Sequence, residues 1–259
     1  MLLALEIDAK SRKKCADTQV LSNFAGFLFV AYPVSSEAVY ALVGRADMLI
    51  ATLLLLVLLR IADEPQNEWL MLAAACIAIT VKETGIVLFP LFQAAQRVLH
   101  SERKYHPSGK IPSNAAKIFA ILVASRVALT PQLASFSQLD NDVPSRLHAL
   151  GLVYENVKQM VLPASLCHDW SKGTYSLSLQ NFTGAFLILI LIGKLYLEND
   201  KFMKTSLLIS AFLYMPISNL ISRVGFIRAE RCLYPVSIGF LFLTLKITSR
   251  AMTKLKVPR

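Results

Sequence analysis

Residues 20–61 read VLSNFAGFLFVAYPVSSEAVYALVGRADMLIATLLLLVLLRI. Two apolar runs, LSNFAGFLFVA and MLIATLLLLVLL, enclose the polar stretch from Tyr32 to Asp47. Both runs read as membrane spans, so Glu37, Arg45 and Asp47 stand together where a bilayer ends. Ionised groups at that depth are costly unless they are paired or used. The same arrangement recurs at Lys82-Glu83 and at Arg228-Ala-Glu-Arg231. What these charged clusters share is the question on which the function turns.

Composition agrees with a membrane protein. Hydrophobic residues make up 55% of the 259 residues and charged residues 17%, with a mean hydropathy of +0.52. A soluble domain of this length carries more charge. At about 20 residues per span, candidate spans fall near 20–35, 48–61, 69–81, 84–99, 115–130, 182–198, 204–222 and 232–248. Eight crossings put both termini on one side. That side receives 18 of the 27 basic residues, which by the positive-inside rule makes it cytoplasmic. The net charge of +10 is therefore a topology signal, with anionic headgroups as neighbours, and not a mark of nucleic-acid binding.

The expected fold is an all-α polytopic bundle of about eight spans. Its organisation is a cytoplasmic segment at 1–19, spans 1–5 over 20–130, a lumenal loop at 131–181, spans 6–8 over 182–248 and a cytoplasmic tail at 249–259. Within the loop, Leu147, Leu150, Val153, Tyr154, Val157, Met160 and Val161 recur at helical spacing after Pro144. That spacing predicts an amphipathic helix at the lumenal interface. Asn181-Phe-Thr183 is a glycosylation sequon pressed against the next span, a poor position for modification. Cys167 and Cys232 fall on the lumenal side, where a disulfide or two free thiols are both open. No Cys or His spacing suits a metal.

Topology puts Glu37, Arg45, Asp47, Lys82, Glu83, Arg223, Arg228, Glu230 and Arg231 on the lumenal face, with Asp169, Trp170 and Lys172 added by the long loop. Arginines there suit a phosphate, because the guanidinium fork grips two oxygens and keeps its charge. Carboxylates can orient or deprotonate a hydroxyl. Each residue also has a structural reading. Glu37 can serve a helix start, Arg45 and Asp47 a boundary pair, and Lys82-Glu83 a hairpin cap. Arg228 can be a snorkelling anchor and Trp170 an interfacial belt residue.

The stretch YPVSSEAVYALVGRADMLIA resembles the signature of the transmembrane and tetratricopeptide-repeat (TMTC) O-mannosyltransferases, in which His-Pro-x-His-x-Glu-Ala-Val precedes Val-Gly-Arg-Ala-Asp. VKETGI is similar to that family's Cys-Lys-Glu-Gln-Gly-Ile. RVALTPQLASFSQLDNDVPS and LPASLCHDWSKGTYSL resemble the two ends of its lumenal domain. MPISNLISRVGFIRAERCLYPVSIGF resembles its Leu-Pro-x-Ser-Asn…Val-Gly-Phe…Ala-Glu-Arg-x-Leu-Tyr motif. These stretches occur in family order over residues 22–245.

The resemblance implies a GT-C type glycosyltransferase of the endoplasmic reticulum membrane. Such an enzyme moves mannose from dolichyl phosphate mannose to Ser or Thr of cadherin-type domains, with no metal or other cofactor. It implies that Arg231, with Lys82 or Arg228, binds the phosphate, and that Glu37, Arg45, Asp47, Glu83 and Glu230 organise the cavity. The chain departs from the family in several ways. Tyr32 and Ser35 replace its two histidines, and Pro235 shifts its Leu-Pro-Ser. GT-C enzymes carry the catalytic acid in a first lumenal loop expected upstream of Met1, so no residue here is assigned as the base. The tetratricopeptide repeats are also missing. The resemblance thus implies a core inactive by itself, or a non-catalytic paralogue that binds lipid phosphate or a membrane partner.

Overall fold

The computed structural model describes residues 12–63, 68–100, 113–129, 146–164, 166, 178–221, 224 and 226–255. The described elements are helical. They are α1 (Arg12–Ala31), α2 (Ser36–Tyr40), α3 (Arg45–Asp63), α4 (Glu68–Val81), α5 (Leu88–Leu99), α6 (Ser113–Leu129), α7 (Arg146–Val161), α8 (Leu179–Leu197), α9 (Lys201–Tyr214) and α10 (Glu230–Leu255), with short 3-10 turns at Pro33–Ser35, Leu42–Gly44, Glu83–Val87 and Met215–Ile217. The expectations for Cys167, Asp169, Trp170, Lys172 and Arg223, and for most of the 131–181 loop, lie outside the described residues.

Among the described residues, three helices are long and apolar enough to cross a membrane: Leu42–Ala62, Leu179–Leu197 and Glu230–Ala251. Of the other expected spans, the first falls on α1, whose apolar part is Ser22–Ala31, and the rest coincide with shorter helices. α4 and α9 have 14 residues each and α5 has 12, and 14 residues rise only about 21 Å.

α10 is the centre of the bundle. It lies along α9 over most of its length and also touches α1, α2 and α3. Leu54, Leu58, Met71, Leu88, Leu91, Phe92, Ile209, Leu233 and Ile238 fill the interior between α3, α4, α5, α9 and α10. Aromatic pairs tie on the outer helices, with Phe29 of α1 5.1 Å from Tyr234 and Phe89 of α5 stacked 4.8 Å from Phe119 of α6. α8 leaves Phe186, Leu187, Ile190 and Leu191 exposed. In a helix of that composition, an exposed apolar face is one made for lipid.

Charge collects at the two ends of this apolar body. At one end Asp200 caps α9 through the Met203 amide at 2.9 Å and takes Arg250 Nη2 at 2.6 Å and Lys246 Nζ at 3.4 Å. Arg250 also meets Glu198. His100 Nε2 lies 2.9 Å from the Ile61 carbonyl, joining the ends of α5 and α3. The other end holds the starts of α3 and α10 and the end of α4. Along α10, Arg231 stands about 22 Å from Lys246 and about 28 Å from Arg250 at helical rise, close to the thickness of a hydrocarbon core.

α7 differs from expectation in its orientation. Val161 is exposed, whereas Ala149, Leu152, Val153, Asn156, Gln159 and Met160 are buried. Asn156 and Gln159 belong to the inward face because each has a partner there: Asn156 Nδ2 donates to the Tyr214 hydroxyl at 2.8 Å, and Gln159 Nε2 to Glu230 at 3.1 Å. A polarity pattern counts both as outward. A satisfied buried amide costs little and can face in. α7 therefore packs across the end of the bundle, against α8 and α10.

Candidate functional site

Two close backbone approaches build the charged end. Tyr32 is extended, Pro33 starts a 3-10 turn in the first position that tolerates its missing N–H, and α2 follows. Ala41 is extended again before the turn Leu42–Gly44 leads into α3. A Cβ on Gly44 would stand 2.3 Å from the Ala38 carbonyl oxygen. Only glycine lets the turn close this tightly, and closing it sets Glu37 on the first turn of α2 beside Asp47 on the first turn of α3. The second approach is at the end of α4. Lys82 is extended and stops the helix. A Cβ on Gly85 would lie 2.3 Å from the Ala78 carbonyl carbon, so the chain folds back against α4 and Lys82 reaches across to α3.

The result is two largely buried ion pairs. Lys82 Nζ donates to both carboxylate oxygens of Asp47 at 2.7 Å. Arg231 donates twice to Glu37, through Nη1 to Oε1 and through its backbone N–H to Oε2, each at 2.7 Å. Glu37 thus caps the first turn of α10 from a helix 194 residues away while pairing with that helix's own arginine. The Asp47 side chain is 3% exposed and that of Glu37 7%. The pairs are neighbours, since α2, α3 and α10, which carry Glu37, Asp47 and Arg231, pack against one another. Cys232 is a buried free cysteine.

Around this core, Phe226 lies 5.6 Å from the Arg231 guanidinium carbon, within cation–π range. Glu230, buried at the start of α10, accepts from Gln159 and sits where the helix dipole favours an anion. Arg228 is 3.6 Å from Glu155 of α7. The Tyr32 hydroxyl donates to the Met160 carbonyl. Ser35 is buried, and its hydroxyl has no hydrogen-bond partner among the described residues. Asn181 is folded into the cap of α8, its amide oxygen accepting from Ser178 at 3.0 Å.

Of the residues singled out from the sequence, Glu37, Asp47, Lys82, Glu230 and Arg231 come together. Glu83 does not join them. It pairs with Arg126 of α6 at 2.9 Å, with side chains 62% and 39% exposed. Arg45 is exposed on the first turn of α3. Sequence reasoning overlooked Gln159 and Phe226. Gln159 had a signal, a long amide among apolar helix positions, and Phe226 ends the Val-Gly-Phe stretch, although nothing there marks its ring as a partner of Arg231. The arrangement carries fixed positive charge on Lys82 and Arg231, held in place by the carboxylates of Asp47 and Glu37.

The chain is 29% identical to the protein O-mannosyl-transferase Tmtc3 of Drosophila melanogaster, over 92% of its own length and 32% of that protein's. It is 28% identical to human TMTC3 over 90% of its length and 31% of the relative's, and 27% identical to human TMTC1 over 90% and 33%. The chain is thus similar to the TMTC O-mannosyl-transferases over about 90% of its length. No protein-family model and no solved structure matches it. The chain spans about a third of the length of these TMTC relatives. The TMTC-like stretches around Glu37, Asp47, Lys82 and Arg231, far apart in sequence, are those that meet in the two ion pairs.

Proposed function

We propose that this chain is the membrane core of a protein O-mannosyltransferase. It sits in the endoplasmic reticulum membrane in a GT-C-like arrangement of about eight spans with cytoplasmic ends. Mannose passes from dolichyl phosphate mannose to Ser or Thr hydroxyls of cadherin-type domains. The observation that carries this reading is the convergence of the Glu37–Arg231 and Asp47–Lys82 pairs at one end of an apolar bundle. The names of the relatives support it. A reaction of this kind breaks the bond between the sugar and the lipid phosphate and forms one to the acceptor oxygen. The departing phosphodiester needs positive charge nearby, already oriented and shielded from water. Arg231 and Lys82 supply it, and Glu37 and Asp47 hold them in position. Glu230 completes the charged end, and Arg45 and Glu83 lie outside this core.

The unpartnered Ser35 hydroxyl, where the resemblance places a histidine, favours a second reading. A serine does not accept a proton at neutral pH as a histidine does. The chain would then bind the lipid phosphate, or a membrane partner, without transferring sugar.

The test uses the chain in nanodiscs with tritiated dolichyl phosphate mannose and a purified cadherin domain. Donor binding without transfer of label is expected of the core by itself, and transfer by the chain alone would refute both that expectation and the second reading. Absence of donor binding by folded protein refutes the transferase and the lipid-phosphate readings and leaves the membrane partner.

A further inference from the structure

Asn219 lies outside the two ion pairs, yet it has the strained backbone and the multiple side-chain bonds of a residue that fixes a loop. Its φ is 59°, and no other described non-glycine residue has a positive φ. Asparagine tolerates that left-handed conformation better than most side chains. It is 4% exposed. Its side chain spans the loop before α10 from both sides. Nδ2 donates to the Phe226 carbonyl at 3.4 Å and to the Ile227 carbonyl at 3.3 Å, while Oδ1 accepts from the Val224 N–H at 3.0 Å. Phe226 is the residue whose ring lies against the Arg231 guanidinium.

The connection runs in short steps. The backbone at Asn219 turns the chain after α9. The amide side chain then bonds three backbone groups, at Val224, Phe226 and Ile227. With those groups pinned, the Phe226 ring and the first residues of α10 have one placement, which sets Arg231 on Glu37.

We propose that Asn219 is a positioning residue for Arg231. It acts through its bonds to Val224, Phe226 and Ile227 and through the Phe226 ring, and it keeps the guanidinium aimed at the charged end of the bundle. This rests on the reading of Arg231 as the phosphate-binding group, but the geometric part can be tested apart from it.

Asn219→Gly is the informative variant, because it removes the side-chain bonds while relieving the backbone strain. Asn219→Asp keeps the acceptor for the Val224 N–H but turns a carboxylate oxygen toward two carbonyls. Arginine reactivity toward phenylglyoxal is mapped residue by residue by mass spectrometry on folded protein in nanodiscs, with Arg250 as internal reference. The expected result is a rise of about tenfold in Arg231 reactivity in Asn219→Gly, the change that about 1.4 kcal/mol of lost restraint gives, with Arg250 unchanged. Asn219→Asp should fall between it and the parent. The same samples should bind dolichyl phosphate mannose more weakly, and that loss should vanish when Arg231 is already replaced by Gln. A lowered melting temperature with Arg231 reactivity unchanged overturns the proposal, because the residue would then serve stability alone. Raised Arg231 reactivity in a protein whose parent binds no donor leaves the positioning role standing and refutes the phosphate-binding reading.

Discussion

Replacing Lys82 by Met leaves the Asp47 carboxylate buried with its nearest cation gone. Nζ touches both oxygens at 2.7 Å, and the two side chains are 19% and 3% exposed. At an effective dielectric of about 20, charges this close attract by roughly 6 kcal/mol before desolvation is subtracted. Breaking such a buried pair from one side costs about 3–5 kcal/mol. The Lys82 side chain is 19% exposed, so solvent screens part of the attraction and the lower end of that range is expected. For a domain of this size, 3 kcal/mol lowers the melting temperature by about 6–12 °C. The assay is thermal unfolding in detergent or nanodiscs, followed by intrinsic fluorescence at one fixed scan rate because unfolding of such chains is often irreversible. Asp47→Leu combined with Lys82→Met should recover most of the loss, since an apolar pair of similar volume replaces two desolvated charges. Glu83→Gln, at the exposed pair with Arg126, should change stability by less than about 1 kcal/mol. If Lys82→Met melts with the parent, or if the double variant is no better than the single, the pair does not hold α4 to α3 and the reasoning fails.

Gly44→Ala and Gly85→Ala each place a methyl 2.3 Å from backbone atoms and should cost at least about 1–3 kcal/mol from overpacking, read as lower melting temperatures. Gly193→Ala should be neutral or slightly stabilising in the same assay, because a Cβ there meets nothing within 4 Å. Gln159→Leu removes a buried donor to the Glu230 carboxylate and should cost about 1.5–3 kcal/mol. Hydrogen exchange in α7 should quicken with it, and unchanged protection of α7 would count against its role as a cap on the bundle.

How far the sequence speaks for this fold can be judged from particular residues. The apolar runs around Leu54, Leu187 and Leu241 are long enough that burial in lipid dominates every other term, and there the expected spans and the long helices coincide. α5 and α9 were less legible in length, because 3-10 turns at Glu83–Val87 and Met215–Ile217 take up residues that an apolar window assigns to a span. The charged stretches announced themselves by the cost of placing ions beside lipid. Their pairing did not, because Glu37 and Arg231 are separated by 194 residues and nothing local decides which cation meets which carboxylate. Glu83 and Lys82 are adjacent in sequence, yet one faces outward to Arg126 and the other inward to Asp47. The extended backbone at Lys82 makes that difference. α7 was legible as a helix but its inward face was not, since a polarity pattern cannot know that Asn156 and Gln159 find partners.

The most direct measurement is equilibrium binding of tritiated dolichyl phosphate mannose to the Glu37→Gln, Arg231→Gln double variant in nanodiscs. The two amides can keep a hydrogen-bonded contact between α2 and α10 while removing both charges, so the fold should survive with a melting temperature near the parent's. The account predicts that this folded protein binds the donor about 10- to 100-fold more weakly, the loss of one or two charge-assisted hydrogen bonds to the phosphate. Folded double variant that binds as tightly as the parent would contradict it, and the charged end of the bundle would then be structural.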